Sequence, residues 1–398
     1  MTDPRDMALK IFKAGVAAAD PAAAVAAHIT RVPAPAQIIA VGKAAVHMAK
    51  AAMVAFPGVP TRVVTNYENA VDLPGAVVMA AGHPVPDENG AAAAAAVLAD
   101  LNAATGPVLA LISGGGSALL PAPVDGVSLA AKATLNQLLL GAGLDITQMN
   151  LVRQQVSKIK GGGILRAAAP HPVTALILSD VVGDDLSTIA SGPTAAPLGT
   201  AADAVAVLQD AGIWADVPQS IRAHLAKTQS EVVLPDHQNH LVGSNALSVA
   251  AMQAMAPTAH VLAAVEGDVA DAARLICDQA GPGLTLWGGE TTVQLKGHGR
   301  GGRNQELALR IALDAQARGW RRWTCLQGGS DGRDGPTDAA GGLVDQGTLA
   351  RITAAGGDLA ALLANNDSYA ALALAGDLLM TGATGTNVAD LGVLIRTD

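Results

Sequence analysis

Glycine, serine and carboxylate residues gather in this chain where short apolar runs end. The clearest case is Ser113-Gly114-Gly115-Gly116-Ser117, directly after the apolar run 107–112. Consecutive glycines let backbone N–H groups turn toward an anion, which suits a nucleotide phosphate. The loop has neither the Gly-Lys-Ser/Thr ending of a Walker A sequence nor the spacing G-x-G-x-x-G. A plain glycine turn is the structural alternative. A second junction places Lys43 after Gly42 in IIAVGKAAVHMAKAA, a point charge at a strand-to-helix turn. In a third, LILSDVVGDDLSTIASGPT, Asp180 follows an apolar run and Asp184 and Asp185 follow Gly183. Carboxylates so placed hold Mg²⁺ or accept a hydroxyl proton, although one of the adjacent pair is expected to cap the turn that follows.

Two further junctions lie late in the chain. The stretch LWGGETTVQLKGHGRGGRNQELAL carries Glu290 and then Arg303, Asn304, Gln305 and Glu306 at a predicted helix start. Arg303 there can grip a carboxylate or phosphate bidentately, and Asn304 beside it is a candidate substrate contact. The structural alternative pairs Arg303 with Glu306 on its own helix. The last junction, LQGGSDGRDGPTDAAGG, holds Asp331, Asp334 and Asp338, but Gly342 stands where a calcium loop starting at Asp331 needs glutamate. There is no H-E-x-x-H, which excludes the commonest zinc protease pattern.

Positioning such loops is the business of an α/β fold, where ligands bind beyond the carboxyl ends of the strands. Apolar runs predict strands over 37–41, 62–65, 76–80, 107–112 and 173–178. A second series falls at 240–242, 260–265, 284–287, 324–326 and 393–395. Alanine-rich amphipathic segments predict helices over 44–54, 89–101, 201–211, 246–255 and 304–317. The pattern reads as largely parallel sheets. The polar stretch 218–239 separates the two series, so domains of 1–235 and 236–398 are expected.

Length and composition agree. A chain of 398 residues exceeds one hydrophobic core, and 50% apolar but only 2% aromatic content requires a core of Ala, Val, Leu and Ile. With 25 basic against 34 acidic residues the net charge is -9, which argues against nucleic acid as a partner. No apolar run approaches the ~20 residues of a membrane span. The first residues lack a signal-peptide pattern, and Cys277 and Cys325 are the only cysteines, so a cytoplasmic location is expected.

Taken together, VGKAA, AGHPVPDENG, ISGGGSALL, NLVRQQVSKIKGGG, LSDVVGDDLSTIASGPT, GGETTV, HGRGGRNQE and GSDGRDGPTDAAGG resemble the class II glycerate 2-kinases, whose C-terminal half is the MOFRL domain. The resemblance spans most of the chain. It implies a Rossmann-like N-terminal domain, a C-terminal α/β domain, and an active site in the cleft between them. It also implies ATP and Mg²⁺, conversion of D-glycerate to 2-phosphoglycerate, and Lys43 and Arg303 as the key basic residues. One departure is Gln155, where many members carry histidine.

These readings combine into one expectation. ATP phosphates lie on Ser113, Gly114, Gly115, Gly116 and Ser117, and Mg²⁺ is held at Asp184 and Asp185. Lys43 and Arg303 neutralise the transferring group, a carboxylate such as Asp180 is the base, and Arg153, Lys160 and Asn304 contact glycerate. Partners are small molecules, with no membrane or nucleic acid, and a homodimer is left open. Two other functions compete. Members have been labelled hydroxypyruvate reductases, but a reductase needs a dinucleotide fingerprint that Gly42-Lys43-Ala44-Ala45 does not supply. A sugar-acid binding protein has no use for Asp180, Asp184 and Asp334 beside an anion.

Overall fold

A computed structural model describes residues 3–227 and 233–398. It divides into two compact units, Pro21–Val242 and Met1–Asp20 joined with Gly243–Asp398. Among the described residues, no helix is long and apolar enough to cross a membrane.

The unit Pro21–Val242 is built on a six-stranded sheet. Its strands are β1 (Gln37–Val41), β2 (Thr61–Asn66), β3 (Val77–Ala81), β4 (Val108–Ile112), β5 (Val173–Leu178) and β6 (His237–Gly243), in the order β3-β2-β1-β4-β5-β6. Pairings from β3 through β5 are parallel, with Ile39 opposite Arg62 on one side and Ala110 on the other. β1, β4 and β5 are buried at every residue, as continuous apolar runs must be when helices cover both faces of a parallel sheet. Ile39, Val41, Ala110, Ile112 and Ile177 pack on Ala93, Val97 and Leu101 of the helix Glu88–Asn102. The order reverses between β1 and β4, so the loops after these two strands flank the crevice where doubly wound sheets bind ligands.

The other unit carries a seven-stranded sheet. Its strands are β7 (His260–Val261), β8 (Val265–Asp268), β9 (Gly283–Thr292), β10 (Trp323–Gly329), β11 (Gly341–Asp345), β12 (Leu378–Leu379) and β13 (Asp390–Arg396). The expected parallel arrangement fails here. β9, β13, β10, β11 and β12 pair antiparallel in that order, and only β7 and β8 lie parallel to β9. The reason is connection length: no helix separates β10 from β11, and a parallel pair needs a long crossover. β11 reads Gly-Gly-Leu-Val-Asp, too glycine-rich to announce itself as a strand.

Alternation along β9 sends Leu286 to one face and Trp287 to the other. The Trp287 face packs on Ile276 and Cys277 of the helix Val269–Gln279 and on Leu307 and Ile311 of the helix Arg303–Ala317. The Leu286 face packs on Val249 and Met252 of the helix Asn245–Met255 and on Ala8, Ile11 and Phe12 of the helix Pro4–Ala18. A Cβ on Gly15 would come within 2.8 Å of Met252 Cγ, so the two helices meet backbone to side chain. This packing moves the first twenty residues out of the expected domain 1–235 and puts the compact-unit boundary at Val242 rather than 235. Residues 228–232, inside the expected boundary stretch, lie outside the described residues.

Candidate active site

The turns after β1 and β4 are laced together. Ser113 N–H donates to Val41 O at 2.9 Å, Lys43 N–H to Gly114 O at 2.9 Å, and Ala44 N–H to Ser113 Oγ at 3.1 Å. Gly42 sits at φ +124°, and any Cβ there would lie 2.2 Å from Ser113 Oγ, so only glycine fits. Ser113 is buried at 1% exposure and its hydroxyl is spent on this lacing. It is therefore a strut between two loops, not the phosphate contact expected for it.

The remaining loop is squeezed on every side. A Cβ on Gly114 would lie 2.0 Å from Asp180 Oδ2, one on Gly115 would lie 3.1 Å from His83 Cδ2 and 3.3 Å from Lys43 Cγ, and one on Gly116 would lie 2.9 Å from Ala190 Cβ. The glycines thus admit Lys43, His83, Asp180 and the turn at Ala190 to within contact of one backbone. The N–H groups of Gly114, Gly115, Gly116 and Ser117 donate to no acceptor among the described residues. A run of free donors beside Lys43 is chemically matched to phosphate oxygens.

Electrostatics within this group is mixed. Burial raises the Asp180 carboxyl above its ordinary value, opposed by a backbone N–H and by the charge of Lys43. Burial lowers His83, and Lys43 lowers it further, against the pull of Glu68. The imidazole is thereby held neutral near pH 7. His83 was not singled out from the sequence. Its signal was available, because it follows β3 at the same sheet edge in AGHPVPDENG.

Of the adjacent carboxylates, Asp185 is the cap. It accepts from Ser187 N–H at 2.9 Å, from Ser187 Oγ at 2.8 Å and from Thr188 Oγ1 at 3.0 Å; burial works against the charge, but these bonds hold its carboxyl below the usual range. Asp184 differs: it adopts φ +56°, and its Oδ1 is buried with no hydrogen-bond partner. Among the described residues, no three His, Cys, Asp or Glu side chains gather as a metal cage. A hard cation shared between one carboxylate and substrate phosphates needs no such cage, and Asp184 fits that chemistry where Asp185 does not.

At the far end of the loop, Lys160 Nζ donates to Ser117 Oγ at 2.5 Å, Ser117 O at 3.2 Å and Ser191 Oγ at 3.0 Å. Burial drives Lys160 well below its ordinary value, and the charges of Lys132 and Arg153 add to this. Arg153 Nη2 donates to Asn136 Oδ1, while its Nε is buried without a partner. Gln155, at the family's histidine position, donates from Nε2 to Gly199 O at 2.7 Å. It also lines a cavity of about 1150 Å³ with Lys158, Arg166 and His224.

Arg303 and Asn304 belong to the other unit and to a different network. Arg303 forks onto Asp390, Nε to Oδ2 at 2.6 Å and Nη2 to Oδ1 at 3.1 Å, with Nη1 3.1 Å from Glu290. Burial disfavours the Arg303 charge, but Asp390, Glu290 and Asp334 outweigh it and raise its pKa. The expected partner Glu306 instead binds Arg310 Nη2 at 2.6 Å. Asn304 is 1% exposed and fully used: it donates to Asp334 and Asp390 and accepts from Gln327 Nε2 at 2.6 Å. That leaves its amide no bond for a substrate. Asp334 caps the helix by accepting from Gln305 N–H at 2.8 Å, and burial pushes its carboxyl up to about 6.

Residues 7–226 match the family described as "Domain of unknown function (DUF4147)", and residues 283–390 match the MOFRL family. A relative in Agrobacterium vitis that carries a hydroxypyruvate reductase name is 39% identical across 98% of this chain and 94% of its own. The D-glycerate 2-kinase of Thermotoga maritima is likewise 39% identical, across 98% of this chain and 99% of its own. The crystal structure of glycerate kinase from that organism superposes with a TM-score of 0.91 over 98% of this chain and 99% of the other. With both sequence halves matched and the strand orders accounted for, this chain belongs to the glycerate 2-kinase family.

Proposed function

We propose that this protein transfers the γ-phosphoryl group of ATP to the 2-hydroxyl of D-glycerate, giving 2-phospho-D-glycerate and ADP. One observation carries the reading: a glycine loop with free backbone donors at the sheet's switch point, flanked by Lys43 and Asp180 at one end and Lys160 at the other. The N–H groups of Gly114 to Ser117 cradle nucleotide phosphates. Lys43 offsets charge that grows on the transferring group, the largest contribution a protein makes to phosphoryl transfer. Mg²⁺, when bound, neutralises the phosphates, and Asp184 is the residue that would hold it. Asp180 takes the proton of the substrate hydroxyl, with neutral His83 as the second acceptor in the same cluster. Arg153 and Lys160 face the acid. The chain acts on small molecules in the cytoplasm.

The hydroxypyruvate reductase reading has a relative's name in its favour. Against it, Gly42 is filled from behind by Ser113 and followed by Lys43, which leaves no glycine-lined approach for a pyrophosphate. Incubation with D-glycerate, ATP and Mg²⁺, followed by ³¹P NMR, tests the proposal. A phosphomonoester resonance coupled to the C2 proton is expected. Oxidation of NADH by hydroxypyruvate without ATP turnover would replace the kinase with the reductase.

A further inference from the structure

The helix Leu129–Gly141 sets Lys132 and Asn136 one turn apart on a common face, and the helix Ile146–Gln155 does the same with Asn150 and Arg153. Lys160 follows in the next turn. Their charges repel: Lys132 and Arg153 both disfavour the protonated form of Lys160, and Arg153 that of Lys132. The side-chain hydrogen bonds of Arg153 and Lys160 all go to neutral oxygens: Asn136 Oδ1, Ser117 O and Oγ, and Ser191 Oγ. Among the described residues no carboxylate lies within ion-pair distance of the three cations, whereas Arg62, Arg303, Arg310, Arg318 and Arg351 all have one. Desolvated like charges held together without counter-charge cost stability, and folds retain them where a ligand supplies the missing sign.

Donor capacity separates the roles of the three. Lys160 Nζ already has three acceptors, so it has no donor left for a ligand. Lys132 Nζ has no hydrogen-bond partner among the described residues, its backbone N–H alone being bonded, to Ser128 O, and Arg153 Nε is buried and unpartnered. We propose that Lys132 and Arg153 hold the carboxylate of the acid substrate, with Lys160 as their neighbour, so that Lys132 is a specificity-determining residue of the acceptor site. The class of ligand is a small monocarboxylate bearing a hydroxyl. Its identification as D-glycerate rests on the function proposed above; the three-cation subsite does not.

Calorimetric titration of the full chain tests this, with D-glycerate and ATP titrated separately into wild type, Lys132→Met and Lys132→Arg. Lys132→Met is expected to weaken D-glycerate at least tenfold, to leave ATP affinity within twofold, and to melt no lower than wild type because a repelled cation has gone. Lys132→Arg is expected to restore most of the D-glycerate affinity. Unchanged D-glycerate affinity in Lys132→Met overturns the proposal, as does a lower melting temperature, which would mark a structural lysine. Loss of ATP affinity in place of D-glycerate affinity also overturns it, since the oxyanion would then be a nucleotide phosphate. Wild type that ignores D-glycerate but binds D-lactate or glycolate, with the same loss in Lys132→Met, supports the subsite and removes the D-glycerate reading. Wild type that binds none of these acids overturns the subsite.

Discussion

Lys43 and Lys132 are both cations near the 113–117 loop, yet they call for different measurements. Lys43 lies beside Gly115 and Asp180, at the end of the loop assigned to the nucleotide. Lys43→Ala is expected to lower kcat by about 10²–10³-fold, the usual cost of one transition-state contact, while the KM for D-glycerate changes little. A variant with wild-type kcat would return Lys43 to an ordinary half-buried lysine. Lys132 is lowered by burial and then by Arg153, to about 8, with Lys160 as the other charged neighbour. Its charged form predominates below that value and is lost above it. The kcat/KM for D-glycerate should therefore fall as pH rises through about 8, and Lys132→Arg should carry the plateau to higher pH. A profile unchanged by Lys132→Arg would assign the inflection to another group. The stability sign is opposite: a lysine lowered in the folded state costs stability at neutral pH, and that cost disappears as pH rises toward its unfolded value.

Among the elements, the helix Arg303–Ala317 departs furthest from its sequence reading. Its N-terminus was expected to present Arg303 and Asn304 to a ligand. Instead, hydrogen bonds run from Trp287 through Gln327, Asn304 and Asp390 to Arg303, tying β9, β10 and β13 to the helix start. Asp390 is only 3% exposed, so leaving it without its Arg303 partner would strand a buried carboxylate, whereas the equally buried Glu306 is already paired with Arg310. Lysine keeps the charge of Arg303 but loses the fork. Arg303→Lys should destabilise the protein by about 1–2 kcal/mol, read as a lower denaturation midpoint at unchanged m-value. A fall in kcat/KM of ~10²-fold beyond that would add a role in phosphoryl transfer. A variant as stable as wild type would show that the Asp390 fork contributes nothing.

For the whole molecule, the assignment of the helix Pro4–Ala18 is the most consequential feature. Ile11 and Phe12 are nearly fully buried in the core that holds Met252, Leu326 and Val393, so the unit ending the chain is incomplete without the residues beginning it. Large apolar side chains removed from such a core cost several kcal/mol each. A fragment starting at Gly243 is expected to aggregate or unfold when produced alone. The same fragment with residues 1–20 fused through a flexible linker to its C-terminus should fold with a cooperative thermal transition. Cooperative folding of the unfused fragment would mean that the helix only decorates the surface.

Sequence alone determined the strand-and-helix alternation, because a buried parallel strand is a continuous apolar run and an alanine-rich amphipathic segment has few other uses. β1 and β5 were legible to the residue, and so was the Gly114 to Ser117 loop, whose composition states its backbone needs. Tertiary structure decided what one residue's neighbours settle. It spent Ser113 on lacing two loops, spent Asp185 on a cap, left Asp184 Oδ1 bare, and closed Asn304 inside a network. It also brought His83 to Gly115 and Lys132 to Arg153 across gaps no local pattern spans. The physical reason is range. Propensity and periodicity act within a few residues and are written locally, whereas hydrogen-bond satisfaction and charge balance depend on which distant groups the fold brings together.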